Sequence, residues 1–243
     1  MDRRNFITTS AGVLAAGALA GHALGAGDAA ARAASTAGTP AGPLKAPANG
    51  SIRVAVALAE GATVIDFCGP WEVFQDVMLP GRDDMPFQLY TVAATREPIR
   101  ASAGLHIIPD FSVNDAPAPQ VIVVPALRGN DTLSAWIEAS SRSTDLTMSV
   151  CTGAFQLARV GLLDGLTATT HHDFYDAFAK DFPKVTLVRG TRYVEHDRVA
   201  TAGGLTSGID LALRVVQRYY GTDVAKRTAE YMEHASERWL NPA

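Results

Sequence analysis

The stretch Ser149-Val150-Cys151-Thr152-Gly153-Ala154-Phe155 sets a nucleophile between two kinds of backbone. Leu146 to Val150 reads as a buried strand, and Thr152 to Val160 reads as a helix closed by Gly161. A chain that passes from strand to helix at Cys151 forces that residue towards strained angles and lifts its side chain out of the sheet. The turn also puts the sulfur at a helix N-terminus, whose positive end favours a thiolate. Gly153 leaves room for close backbone approach. On position alone Cys151 is either this reactive thiol or a small core residue, as free cysteines often are.

Asp66 is the second candidate. It lies inside Val64-Ile65-Asp66-Phe67-Cys68-Gly69-Pro70-Trp71-Glu72-Val73-Phe74, an otherwise apolar run. A carboxylate there must be paired, cap a helix or be held protonated. It could cap a helix beginning near Pro70, which would lie in the first turn of a helical stretch from Asp66 to Met78. In a doubly wound sheet the C-terminal ends of neighbouring strands share one crevice. The loop after the first strand would then face the Cys151 turn, giving a nucleophile with a proton donor or acceptor beside it.

The elements that would hold these groups alternate between strand and helix. Strands are expected at Ile52–Ala59, Phe87–Ala94, Gln120–Val124, Leu146–Val150, Ala168–Thr170, Val185–Val188, Tyr193–Glu195 and Val199–Thr201, with a small hairpin arm at Leu105–Pro109. Further helices are expected at Asp131–Ser141, His172–Asp181, Ser207–Tyr220 and Asp223–Ser236. The alternation specifies an α/β fold, a three-layer α/β/α sandwich around a mostly parallel, doubly wound sheet with a nucleophile elbow at Cys151. No internal repeat is present.

The N-terminus is of another kind. Arg3-Arg4-Asn5-Phe6-Ile7 precedes an uncharged, Ala- and Gly-rich run to Gly27, the pattern of a twin-arginine export signal. Cleavage is expected after Ala33, in the small-x-small site Ala31-Arg32-Ala33; an uncleaved anchor is the alternative. Residues 34–50 are a flexible tether by composition, and 51–243 form one domain. Its localisation is accordingly expected to be periplasmic or exported, with only transient membrane contact. Removing residues 1–33 takes away three arginines and two aspartates, moving the formal charge from -4 to -5. An acidic balance argues against a nucleic-acid partner, and two cysteines cannot build a four-thiolate metal site. His106 and His234 lack partners at ligand spacing, so no metal and no cofactor is expected.

Several ordered motifs carry a family resemblance from about Ile52 to Tyr220. They are Asp66 to Phe74, Ser149 to Ala154, Gly161-Leu162-Leu163-Asp164-Gly165, Ala168-Thr169-Thr170-His171, and Gly203-Gly204-Leu205-Thr206-Ser207-Gly208-Ile209-Asp210-Leu211-Ala212-Leu213. With these the chain resembles the ThiJ/PfpI superfamily, of class I glutamine amidotransferase-like fold, and within it the isonitrile hydratase branch. The resemblance implies that Cys151 is the nucleophile, Asp66 the active-site carboxylate and Thr152 the residue that follows the nucleophile. The peptidase-like branch has a histidine at the Thr152 position, so a protease is not expected. His171 matches a histidine that lies near the cysteine in some members; a cap or core role is its alternative. Gly69, Ala126, Leu127 and Gly153 are expected as substrate- or oxyanion-binding positions.

Two departures from the pattern stand out. Pro125-Ala126-Leu127-Arg128-Gly129 replaces a Pro-Gly-Gly turn whose amides could bind an oxyanion. Cys68 stands where Thr or Ser is commoner. The resemblance implies a homodimer and a cofactor-independent lyase that hydrates an isonitrile to an N-substituted formamide. Two alternatives use the same residues: glyoxalase-like hydration of small 2-oxoaldehydes, and a redox- or ligand-sensing domain without turnover. The Gly203–Gly208 stretch lacks the lysine of a phosphate cradle and is read as tight helix–sheet packing.

Overall fold

The computed structural model describes residues 41–47 and 49–242. The expected export signal lies outside the described residues, as does the first part of the expected tether. Among the described residues no helix is long and apolar enough to cross a membrane.

A seven-stranded sheet forms the middle layer. It contains β1 (Ile52–Ala57), β2 (Phe87–Ala93), β5 (Phe111–Ser112), β6 (Val121–Val124), β7 (Leu146–Ser149), β10 (Tyr193–Glu195) and β11 (Val199–Ala202), in the order β10-β11-β7-β6-β1-β2-β5. All neighbours are parallel except β10, which runs antiparallel to β11. The central strands are continuous apolar runs because helices cover both faces: Val121 to Val124 is buried throughout, and in β1 only Arg53 is exposed. Two minor ladders complete the strands, the antiparallel pair β3 (Ile99–Arg100) with β4 (His106–Ile107) and the parallel pair β8 (Thr167–Ala168) with β9 (Thr186–Leu187).

The pleat sends alternate residues to opposite layers. Val54, Val56, Val121, Val123 and Met148 pack in one core with residues of α1 (Val64–Gln75) and α5 (Ser207–Tyr220), joined by α6 (Thr222–Tyr231). Ile122, Val124 and Ala57 pack in a second core with residues of α2 (Asp131–Ser141) and α3 (Gly153–Arg159), and with Phe178 of α4 (Tyr175–Asp181). Phe87 binds the first layer together, with ring centroids 4.9 Å from Phe74, 6.0 Å from Tyr219 and 5.7 Å from Tyr220. Each such aromatic pair adds roughly 0.5–1.5 kcal/mol beyond its buried area.

Connections reverse direction at β1: β2 and β5 lie to one side, and β6, β7 and β11 lie to the other. This switch point opens the crevice in which the two expected reactive residues meet.

Local differences from the sequence reading have physical causes. The helix α1 starts at Val64, with Thr63 as N-cap, so Pro70 lies inside it and Asp66 sits in its first turn instead of capping it. The stretch expected as one helix from His172 begins as a 3₁₀ turn, His172–Phe174, before α4. The last helix stops at Tyr231, where Glu233 takes a left-handed φ of 54° and His234 N–H closes on Ala229 O at 2.9 Å.

Part of the expected tether is docked. Leu44 N–H donates to Arg218 O at 2.8 Å, Arg218 Nε donates to Gly42 O at 2.9 Å, and Ala41 is buried. Leu44 and Ala46 pack on the first core.

Candidate active site

Cys151 occupies the turn between β7 and α3 with φ 58°, a left-handed backbone that costs a non-glycine residue about 1–3 kcal/mol. Three bonds hold it there. Its N–H donates to Gly203 O at 2.7 Å, its carbonyl accepts Thr170 Oγ1 at 2.9 Å, and Gly153 N–H closes the turn on Val150 O at 2.9 Å. At Gly153 a Cβ would collide with the carbonyl oxygen of Val124. The glycine therefore lets α3 start against the end of β6. Since its amide is taken by Val150, it is not the oxyanion donor expected from the sequence.

Asp66 is wholly buried at the start of α1. Its Oδ2 accepts the Ala126 N–H at 3.1 Å, while Oδ1 is buried without a hydrogen-bond partner among the described residues. Ala126 therefore orients the acid and has no amide left for substrate, which corrects its expected role. Its own carbonyl accepts Thr63 N–H at 2.9 Å, so the β6–α2 turn is bonded to the entry of α1 in both directions. The glycine-free turn Pro125-Ala126-Leu127 thus positions the carboxylate.

The acid and the thiol act on each other's ionisation. Burial pushes the Asp66 carboxyl up to about 6, against the Ala126 amide and the Cys151 thiol, which favour its ionised form. Burial, and then the negative charge of Asp66, push the Cys151 thiol up to about 11, although the amides of Thr152 and Leu205 favour its thiolate. Burial and the adjacent carboxylate therefore oppose the thiolate expected at this helix N-terminus, and the helix α3 has only seven residues.

Thr152 is half-buried at the N-cap of α3, and its side chain makes no capping bond. With Leu127 it borders a cavity of about 460 Å³ that also touches Phe155, Gln156, Arg159 and Phe174. Cys151 and Asp66 do not line this cavity, so it can take the body of a bound molecule but not its reacting atom. His171 follows Thr170, caps the 3₁₀ turn by accepting Asp173 N–H at Nδ1 (3.2 Å), stacks on His172 at 4.4 Å and packs its ring against Gly204. It reaches the site through Gly204, not by a bond to sulfur or carboxylate.

At Gly69 a Cβ would lie 3.0 Å from Ile209 Cγ1, so the glycine serves the contact of α1 with α5. Cys68 is half-buried on α1, packs against the first core, and is a free thiol, as is Cys151. Burial and the neighbouring Glu72 push the Cys68 thiol up.

Sequence reasoning missed Leu205. Its amide favours the Cys151 thiolate, and its φ of 51° is left-handed. Packing is only part of what the Gly203–Gly208 stretch does: a Cβ at Gly208 would lie 2.9 Å from Val150, but Gly203 and Leu205 belong to the site. A non-glycine residue after two glycines, facing the elbow strand, was the available signal.

A doubly wound α/β domain with a cysteine elbow and a buried carboxylate at its switch point defines the class. The chain belongs to the DJ-1/PfpI family, whose model matches residues 52–218. It is 31% identical to the isonitrile hydratase of Pseudomonas putida over 178 residues, 70% of this chain and 73% of that one. It is 28% identical to the HTH-type transcriptional regulator GbdR of Pseudomonas aeruginosa, spanning 59% of this chain and only 40% of the regulator. Among solved structures, a ThiJ/PfpI family protein from Pseudomonas syringae superposes with a TM-score of 0.68 at 25% identity, covering 79% of each chain. DJ-1beta of Drosophila melanogaster superposes with a TM-score of 0.62 at 19% identity, covering 77% of this chain and all of that one.

Proposed function

We propose that the protein is a cofactor-independent hydro-lyase that converts an isonitrile into an N-substituted formamide. The observation that carries this reading is the Asp66–Cys151 couple, a buried carboxylate with one unpartnered oxygen and a buried thiol whose ionisation it opposes. The similarity to an isonitrile hydratase supports it.

In this reading Cys151 bonds to the terminal isonitrile carbon as its proton passes to Asp66, and Asp66 returns that proton to the same carbon. The product of this half is a thioimidate on sulfur. A water molecule then adds to the thioimidate carbon while Asp66 takes one of its protons, and the imine nitrogen gains a proton. Collapse of the adduct expels sulfur, which regains a proton, and releases the formamide. One water is consumed and no electrons are exchanged. Leu205 and Thr152 amides favour the departing thiolate, and the Thr152 hydroxyl is placed to hold water or adduct.

The test is formamide production by the purified protein. Wild type should turn over an isonitrile, and Cys151→Ala should lose at least about a thousandfold in kcat/KM. Full activity in Cys151→Ala would end the covalent reading. Export through the twin-arginine pathway, a homodimer and a small electrophilic substrate are parts of the same proposal. Fractionation, light scattering and a panel of isonitriles and 2-oxoaldehydes test them in turn. A second reading, ligand sensing without turnover, is favoured by the similarity to regulators and by a thiol that burial and Asp66 push up. It predicts binding to the same panel with no product.

A further inference from the structure

The Gly203–Thr206 loop holds the Cys151 elbow through the Gly203 carbonyl, which accepts the Cys151 N–H at 2.7 Å, and the Leu205 amide in the same loop favours the thiolate. What holds this loop lies outside the site. The Arg192 carbonyl accepts Gly203 N–H at 2.9 Å, and Arg192 Nη2 donates to Thr206 Oγ1 at 3.2 Å, so one residue brackets both ends of the loop. Arg192 Nε donates to Asp210 Oδ2 at 2.6 Å. Asp210 is wholly buried in the first turn of α5, and its other oxygen meets His234 Nε2 at 2.9 Å. The C-terminal segment closes the arrangement: Arg192 N–H donates to Pro242 O at 2.8 Å, and Tyr193 OH donates to the carbonyl of the buried Trp239 at 2.7 Å.

We propose that Arg192, fixed by Asp210 and the C-terminal segment, is a positioning residue that holds the Gly203–Thr206 loop against the Cys151 elbow, keeping the Gly203 carbonyl on the Cys151 N–H and Leu205 in its left-handed turn. The bracket is needed because Leu205 is held in a left-handed conformation that a free loop would leave. Neither Arg192 nor Asp210 touches the reacting atoms. An ion pair with a carboxylate that has no solvent contact fixes geometry better than an exposed pair would. The inference rests on Cys151 being the reacting group, but it holds for any electrophile.

The test needs no substrate. Alkylation of the intact protein by iodoacetamide is followed against pH and read by mass at the Cys151 peptide. The titratable groups facing the thiol and its loop are Asp66 on α1, His171 against Gly204, and Asp210 and His234 behind Arg192. All of these are unchanged in Arg192→Met and in Thr206→Val. Loosening this loop should raise the midpoint of the Cys151 profile by about half to one pH unit and slow alkylation at pH 9 about three- to tenfold. Thr206→Val removes only the bond to the exposed Thr206 and should shift the midpoint with an unchanged melting temperature. Combined with Arg192→Met it should add little, since both break one bracket. Arg192→Lys should not restore the wild-type midpoint, because a lysine cannot bond Asp210 and Thr206 in the same fork. A wild-type midpoint in Thr206→Val overturns the proposal, even if Arg192→Met shifts it, because the arginine would then act through the fold alone. If both variants shift the midpoint while isonitriles are not turned over, the positioning role stands and only the reaction assignment falls.

Discussion

At the residue scale, the chemistry lies in the antagonism between Asp66 and Cys151. The charge of Asp66 opposes ionisation of Cys151, whereas the thiol favours the ionised form of Asp66. Asp66→Asn keeps an oxygen for the Ala126 amide and removes the charge. It should bring the Cys151 thiol down, speed its alkylation at pH 8 several-fold, and abolish turnover, because the proton carrier is gone. The same variant should report on stability. Asp66 has a folded-state value raised from 3.8 to about 6, so its contribution is intact below pH 4 and is lost as pH rises through 6. Asp66→Asn should therefore be more stable than wild type at pH 8, by up to about 3 kcal/mol, with the gain vanishing near pH 4. Urea denaturation at the two pH values measures this, and an equal difference at both would contradict it.

At the element scale, the contact of α1 with α5 keeps Asp66 over Cys151. Gly208 packs closely there, where an added Cβ would meet Val150 at 2.9 Å and Pro70 at 3.3 Å. Val150 directly precedes the nucleophile and is fully buried, so the methyl has nowhere to go. Gly208→Ala should cost about 1–3 kcal/mol by urea denaturation. It should also lower Cys151 reactivity, whereas a substitution of exposed Met78 should do neither. Pro70 inside α1 leaves the Asp66 carbonyl without its helical donor, so this stretch is held by packing more than by its own ladder.

At the scale of the whole molecule, the stretch before β1 is part of the fold. Arg218 is buried and donates to Gly42 O as well as to Asp197 O at 2.8 Å. A chain beginning at Ser51 leaves one donor of Arg218 and the Arg218 carbonyl without their partners, at about 1–3 kcal/mol for each group that water does not reach. It should melt several degrees below a chain beginning at Thr39, with the Cys151 alkylation profile unchanged. Equal melting temperatures would show the docked residues to be dispensable.

How much of this was legible depended on the range of the interaction concerned. Periodicity and turn residues place α2, β10 and α5 at their observed bounds, because apolar patterning and capping are local. The elbow at Cys151 is also local, since strand and helix adjoin there. The two-residue strand β5 was invisible because it exists only by pairing with Val92 and Ala93. The sequence by itself determined the α/β class, the elbow and an acid that burial would perturb. Only the tertiary structure decided that burial and Asp66 push the thiol up, that the Ala126 amide serves the acid, and that the loop of Gly203 and Leu205 holds the elbow. Those outcomes depend on desolvation and on donors from β6, β7 and β11, which are distant in the chain and meet only at the end of the folded sheet.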